Sequence, residues 1–304
     1  MIGQKRLALL PERFPLACQW EITCRCNLRC IMCYTDCFNR PVKIRAELST
    51  DEVLRIMDEL ADAGTLELCL TGGEPLARAD FFDIYGHAKA KGFLITLFTN
   101  GTLITEEIAD RFAALPPYRI EISLHGLMEH TFEEVTRGNG SHQRCMSAIQ
   151  MLLDRKLPLL LKTTAMTVNK DEVLAIKRYV NGLGGVGYKL GEEMRPTLEG
   201  SDAPGQWALS DEELRELNLQ DPALWDEACA RQARAGTLTC VSGQRSFHID
   251  AYGQLQLCSG NRRQSYDLRQ GSFLEGFYNH LPGFACQWKA SPTLQLIQPS
   301  ATHV

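Results

Sequence analysis

The chain of 304 residues carries 32 Lys and Arg against 37 Asp and Glu, a net charge of −5, with 44% hydrophobic and 23% charged residues. That balance is ordinary for a soluble globular protein and offers no electrostatic case for nucleic acid or an anionic membrane. No apolar run reaches the length of about 18 residues that a membrane span needs, residues 1–13 lack the core of a signal peptide, and the 12 cysteines point to a reducing, cytoplasmic compartment and to metal or sulfur chemistry.

Residues 16–23 read as a first strand, which runs into Cys26-Asn27-Leu28-Arg29-Cys30-Ile31-Met32-Cys33. Three thiolates in this C-x3-C-x2-C spacing can hold three corners of a cubane iron–sulfur cluster and leave the fourth iron without a protein ligand. Structural zinc is the alternative, and it would need a fourth ligand such as Cys24 or Cys37. Ser49 with Glu52 forms a capping box, and Val53, Leu54, Met57, Leu60 and Ala61 follow as one apolar helical face closed by Gly64.

A buried strand over 66–71 then enters Gly72-Gly73-Glu74-Pro75. Two glycines at a strand end let the backbone approach a ligand closely, and Pro75 stops the strand. Next come a helix over 80–91, a strand over 94–99 ending at Asn100-Gly101-Thr102, and a helix over 105–115. A strand over 118–124 ends at His125-Gly126. It is followed by a helix over 141–156, a strand over 159–167, a helix over 171–181 and a strand over 186–190. Cys69 and Cys145 are expected as core thiols.

Six β-α units predict an α/β fold, a curved, partial (β/α)6 barrel over 16–195 behind a short segment 1–15. Functional residues belong at the C-terminal ends of such strands. The cysteine loop, Gly72 to Glu74, Asn100 to Thr102, Ser123 and His125 all fall there. A second region, 196–304, opens with a Gly/Pro/Ser-rich loop. It continues with helices starting after Ser210 and at Asp221-Pro222. It then forms a β-hairpin, with Cys240 before it, a turn at Tyr252-Gly253 and Cys258 at its end.

Together the cysteine loop and the Gly-Gly-Glu turn resemble the radical S-adenosylmethionine (SAM) superfamily over residues 16–260. The resemblance implies a [4Fe–4S] cluster on Cys26, Cys30 and Cys33, with the open iron chelating the amino and carboxylate groups of SAM. It implies that Gly72, Gly73 and Glu74 meet the SAM ammonium, a group with three donors and no acceptor. Ser123 matches a hydroxyl placed against the SAM ribose, and Arg137 an arginine near the SAM carboxylate. Met32 departs from the aromatic that often precedes the last cysteine, with Tyr34 just after. His125 is either a substrate contact or proton donor, or a structural strand-end histidine. The activity implied is reductive cleavage of SAM to a 5′-deoxyadenosyl radical that takes hydrogen from a substrate. The electron comes from a donor such as flavodoxin or ferredoxin.

Cys240, Gly253 and Cys258 resemble the start of the SPASM/Twitch auxiliary-cluster module. Of its later cysteines only Cys286 remains, in a pair whose second member is Lys289. Three readings stand: an auxiliary iron–sulfur cluster with incomplete protein ligation, a module that binds nothing, or zinc on Cys240, Cys258, Cys286 and His248. Cys229 is either a fourth ligand or a helix-buried thiol.

The stretch Ile122-Ser123-Leu124-His125-Gly126, with Glu129, Thr136 and Gly140-Ser141, most resembles maturases of ribosomally made precursor peptides. No leader-binding domain fits before Leu16, so a separate leader-peptide recognition protein or direct binding is expected. The rival is a small-molecule reaction in cofactor or natural-product biosynthesis, such as tetrapyrrole side-chain removal. A non-enzymatic iron–sulfur protein is the third reading, and the intact Gly72–Glu74 turn argues against it.

Overall fold

A computed structural model describes residues 11–35, 40–235 and 240–286; Cys37 and Lys289 lie outside them. Six strands, β1 (Ala17–Glu21), β2 (Glu67–Thr71), β3 (Leu94–Thr99), β4 (Arg119–Ser123), β5 (Leu159–Thr164) and β6 (Gly187–Gly191), lie side by side in sequence order. Every neighbouring pair among them is parallel. That is the result of right-handed crossovers that each step one strand in the same direction, and it is the expected partial barrel.

The two faces of this sheet meet different surroundings, so its strands alternate instead of reading as solid apolar runs. Trp20, Leu70, Leu97, Ile122 and Leu161 point outward and are fully buried. They pack against helices that include α2 (Thr50–Asp62), α3 (Phe81–Ala90) and α6 (Ser141–Asp154); the short α1 (Pro41–Arg45) precedes α2, and α4 (Glu106–Ala114) follows α3. The capping box of Ser49 and Glu52 starts α2, whose Val53, Ile56, Met57 and Leu60 are all fully buried. Each such side chain contributes roughly 1.5–3 kcal/mol by leaving water. Residues on the inner face, Gln19, Cys69, Thr96, Phe98, Ser123 and Lys162, line cavities. Cys69, expected in the core, therefore faces the barrel interior, whereas Cys145 is buried as expected.

Helix α5 (Glu129–Thr136) was not foreseen from local signals, and the reason is visible at its N-terminus. Met128 supplies no side-chain cap. Instead the carboxylate of Glu172 accepts from Leu127 N at 2.7 Å and Met128 N at 3.0 Å. A cap delivered from so far along the chain leaves no short-range pattern. Strand β5 also ends earlier than expected, because the Asn169 side chain takes Met166 N (2.8 Å) and Thr164 O (2.9 Å).

Beyond β6 and helix α7 (Val173–Gly182) come α8 (Asp211–Leu219) and α9 (Pro222–Ala235). The expected hairpin is β7 (Ser246–Ile249) with β8 (Gln254–Gln256), joined by a short β9 (Tyr266–Asp267). β7 lies parallel to β1, with Gln19 opposite His248, so the hairpin continues the barrel sheet to nine strands. Among the described residues no helix is long and apolar enough to cross a membrane.

Candidate active site

A cavity of about 980 Å³ opens at the C-terminal ends of the strands. Cys26, Cys30, Cys33 and Tyr34 form one side of its lining, with Gly72, Gly73, Ser123 and His125 beside them. Lys162, Lys189, Glu192 and Arg231 line it from β5, β6 and the segment beyond. Lys162 is drawn to the floor by Glu121 (3.2 Å) and by the ring of Phe98 (3.2 Å to its centre).

The cysteine loop is held along its whole length. At its start the buried carboxylate of Glu47 accepts from Thr23 Oγ1 (2.8 Å) and Cys24 N (2.7 Å), and pairs with Arg25 Nε at 3.2 Å. The turn after β2 lies directly on it: Gly73 N donates to Thr23 O at 2.9 Å and Glu74 N to Arg25 O at 2.7 Å. Inside the motif, Asn27 donates to Thr102 Oγ1 (2.7 Å) and accepts from Asn100 Nδ2 (3.0 Å). Arg29 N and Ile31 N donate to the carbonyls of Thr136 (3.1 Å) and Val135 (2.9 Å) at the end of α5. Sequence reasoning missed Glu47 and Asn27. Asn27 carried a signal, since it sits between two candidate ligands.

The two glycines also serve a contact within the chain. A Cβ on Gly72 would lie 2.2 Å from Thr23 O, and one on Gly73 2.2 Å from Arg25 O. Gly72 also has φ +151, a region side chains rarely adopt. The close approach of two backbone segments by itself demands the missing side chains, and both glycines line the cavity. Glu74 does not line it. Fully buried, its carboxylate accepts from Thr99 Oγ1 (2.7 Å), Asn100 N (2.7 Å) and Leu76 N (3.2 Å), tying the ends of β2 and β3. Burial pushes its acid up to about 7 against those three hydrogen bonds.

Ser123 and His125 face the cavity from the end of β4. Arg137 is exposed at the left-handed residue (φ 52) that ends α5 and does not line the cavity. Thr136 beside it bonds Ser141 Oγ at 2.7 Å, and the α5–α6 corner so fixed carries the carbonyls that hold the cysteine loop.

His125 is 4% exposed, and its Nδ1 accepts from Thr164 N at 3.2 Å, which leaves the ring proton on Nε2. Burial, with Lys162 nearby, pulls its pKa down to about 4. A folded-state value below the ordinary 6.5 means stability that is present above pH 6.5 and lost as pH falls toward 4. In urea unfolding of the apo chain between pH 7 and 4, the native sequence should lose up to roughly 3 kcal/mol more than His125→Asn. Parallel stability curves would refute it. The comparison with the variant isolates His125 from Glu74, whose raised acid acts with the opposite sign.

Comparison with known proteins bears on this geometry. The model of the radical SAM superfamily matches residues 20–180. The chain belongs to the radical SAM superfamily. Among radical SAM relatives, the AdoMet-dependent heme synthase of Methanosarcina barkeri is 33% identical over 57% of this chain and 49% of its own length. The mycofactocin maturase MftC of Mycolicibacterium smegmatis is 29% identical over 82% of this chain and 60% of its own. The chain thus spans about half to three-fifths of these relatives. Streptococcus suis SuiB, solved with the precursor peptide SuiA, shares the fold at a TM-score of 0.70 and 14% identity over 88% of this chain and 65% of its own. The enzyme anSMEcpe with bound AdoMet does so at 0.66 and 14% over 88% and 81%.

The donor set suits the radical SAM cofactors. Burial pushes the Cys26 thiol up to about 12 and raises Cys30 as well, and Cys33 acts on both. Such thiols keep their protons until metal displaces them. Among the described residues no group of three His, Cys, Asp or Glu is arranged around a single ion; a cubane takes each thiolate on a different iron.

Cys240 and Cys286 are exposed and Cys258 half-buried. Ser242 and Cys258 line one small cavity of about 280 Å³, together with Cys69. Asn261, whose N bonds Cys258 O at 3.1 Å, donates from Nδ2 to Ala285 O at 2.9 Å, beside Cys286. Asn261 thus bridges the Cys258 turn and the residue before Cys286. His248 is fully buried and faces Glu21, with Nε2 3.5 Å from Oε1. Cys229 lies half-buried in α9.

Proposed function

We propose that this radical SAM enzyme modifies a residue of a ribosomally made precursor peptide. The observation that carries the reading is the shared cavity. Cys26, Cys30, Cys33, Gly72, Gly73 and Ser123 occupy one wall of about 980 Å³, and β6 with residues 192–231 supplies the other. Pockets of roughly 300–1,000 Å³ suit one drug-sized ligand, so this volume takes SAM and still admits a substrate side chain. The MftC match supports the reading because it covers 82% of this chain, a larger share than residues 16–195 alone.

When bound, the [4Fe–4S] cluster and SAM supply a reductively generated adenosyl radical that takes hydrogen from the substrate. The three thiols would hold the cluster, Gly72 and Gly73 would present backbone groups at the SAM ammonium, and Ser123 would offer its hydroxyl to the ribose. The fixed Nε2–H of His125 donates a hydrogen bond into the cavity instead of a proton. Leu28, Met32 and Phe132 give that wall apolar surface that keeps water from the reacting atoms. An external one-electron donor of the flavodoxin or ferredoxin class, a separate leader-recognition protein, and an auxiliary cluster on Cys240, Cys258 and Cys286 belong to the same reading.

The heme synthase match favours a second reading, a tetrapyrrole-like small molecule. One experiment separates them. Incubation with a deuterated precursor peptide should move deuterium into 5′-deoxyadenosine, read by mass spectrometry. Transfer from a deuterated tetrapyrrole, with none from peptide, would reverse the assignment.

A further inference from the structure

The exit of the cysteine loop is held by residues that lie far from it in sequence. Tyr34, directly after Cys33, donates from its hydroxyl to Glu21 Oε1 at 3.2 Å. Its carbonyl accepts from Leu198 N at 2.8 Å. Glu21, at the end of β1, is gripped by both terminal nitrogens of Arg262, with Nη1 2.8 Å from Oε2. Arg262 stands 241 residues further along the chain. The same guanidinium donates from Nε to Ser259 O at 2.9 Å, in the turn after Cys258, and lies 5.6 Å from the centre of the Tyr34 ring. Side chains of Arg262 and Glu21 are only 12% and 8% exposed. Although burial alone would raise the Glu21 acid, Arg262 holds it below the usual carboxylate range.

His248 closes the back of this group, with neither ring nitrogen in a hydrogen bond. A bidentate guanidinium–carboxylate pair out of water fixes both distance and angle. One rigid pair thus joins the turn after Cys258 to the residue after Cys33.

We propose that Arg262 is a positioning residue for the radical site: through Glu21 and Tyr34 it makes the C-terminal hairpin set the geometry of the Cys33 end of the cysteine loop. The proposal uses the functional reading only for its consequence in SAM binding. The clamp itself is a property of the apo chain, and it predicts that the barrel's cysteine loop is incomplete without residues beyond 258.

Hydrogen–deuterium exchange on the apo chain tests the clamp. Removing one partner of the pair strands a buried charge, so the variants are the double Glu21→Gln/Arg262→Gln, which removes both charges, and Tyr34→Phe, which removes only the hydroxyl. Both should speed exchange at Ile31, Cys33 and Leu198 about tenfold or more while Val53 to Leu60 in α2 stay protected. No change at those three amides, or equal acceleration in α2, would overturn the clamp.

In reconstituted protein the double variant should keep its iron but bind SAM about tenfold more weakly, the scale of one lost charge-assisted contact. Arg262→Lys, which keeps charge but not the bidentate grip, should fall between. Local loosening with unchanged SAM affinity would overturn the positioning role. A wild type that binds no SAM would refute the functional reading, and the exchange result would then decide the clamp alone.

Discussion

Cys30→Ala should abolish SAM cleavage and remove about four irons per chain from anaerobically reconstituted protein. Alanine leaves no ligand in the middle of the set, and neither Cys26 nor Cys33 can cover two irons. The loop itself should keep its place, because Arg29 N and Ile31 N are held by the carbonyls of α5 on either side of the substituted residue. Apo stability should therefore change by no more than about 1 kcal/mol. Iron analysis, urea unfolding and 5′-deoxyadenosine release check the three parts. A native protein that binds zinc and never cleaves SAM would sink the assignment. Replacing Cys26, Cys30 and Cys33 together should leave residual iron and sulfide held through Cys240 and Cys258. A folded triple variant free of iron would mean that the hairpin cysteines bind nothing.

Gly73→Ala should be as damaging with every cysteine in place. The added Cβ would sit 2.2 Å from Arg25 O, 2.7 Å from its carbonyl carbon and 2.8 Å from Cys24 O. All three are backbone atoms, so no side chain can swing aside. The turn must part from the cysteine loop, and the bonds Gly73 N to Thr23 O and Glu74 N to Arg25 O go with it. Overpacking of this kind costs about 3 kcal/mol, and two buried hydrogen bonds add to it. Urea unfolding should show that loss, and SAM cleavage should disappear. Gly86→Ala, in α3 with nothing within 4 Å of its added Cβ, is the matched control; it should be neutral or stabilise by up to about 1 kcal/mol. If Gly73→Ala proved as stable as the native chain and as active, the contact between the turn and the loop would have no importance.

The contrast between these two positions shows how much was legible without coordinates. Cysteine spacing is chemistry written in adjacent residues, so Cys26, Cys30 and Cys33 could be named from the chain alone. The β/α alternation is similarly local: the period of Val53, Met57 and Leu60 and the cap at Ser49 lie within a few residues of one another, and α2 starts where they indicate. Six such units in order leave few topologies open, and the sheet follows one of them. The glycines were noticed, but their contact with the cysteine loop was not, because only the folded chain shows Thr23 and Arg25 beneath them.

Other features rest wholly on distant partners. Glu74 reads in sequence as a carboxylate facing a ligand, and in the fold it accepts from Thr99, Asn100 and Leu76 as well. Arg137 sits in the expected stretch, but the left-handed end of α5 leaves it exposed and outside the cavity. Helix α5 owes its first turn to Glu172, and Tyr34 owes its anchor to Arg262 by way of Glu21. By itself the sequence determined the cysteine spacing, the helical caps and the order of strands, because each depends on bonds and periodicities that act over a few residues. Only the tertiary structure decided which polar groups face the cavity and which brace it. Buried charges and hydrogen bonds take whichever partners the fold brings within about 3 Å, and separation along the chain sets no limit on that choice.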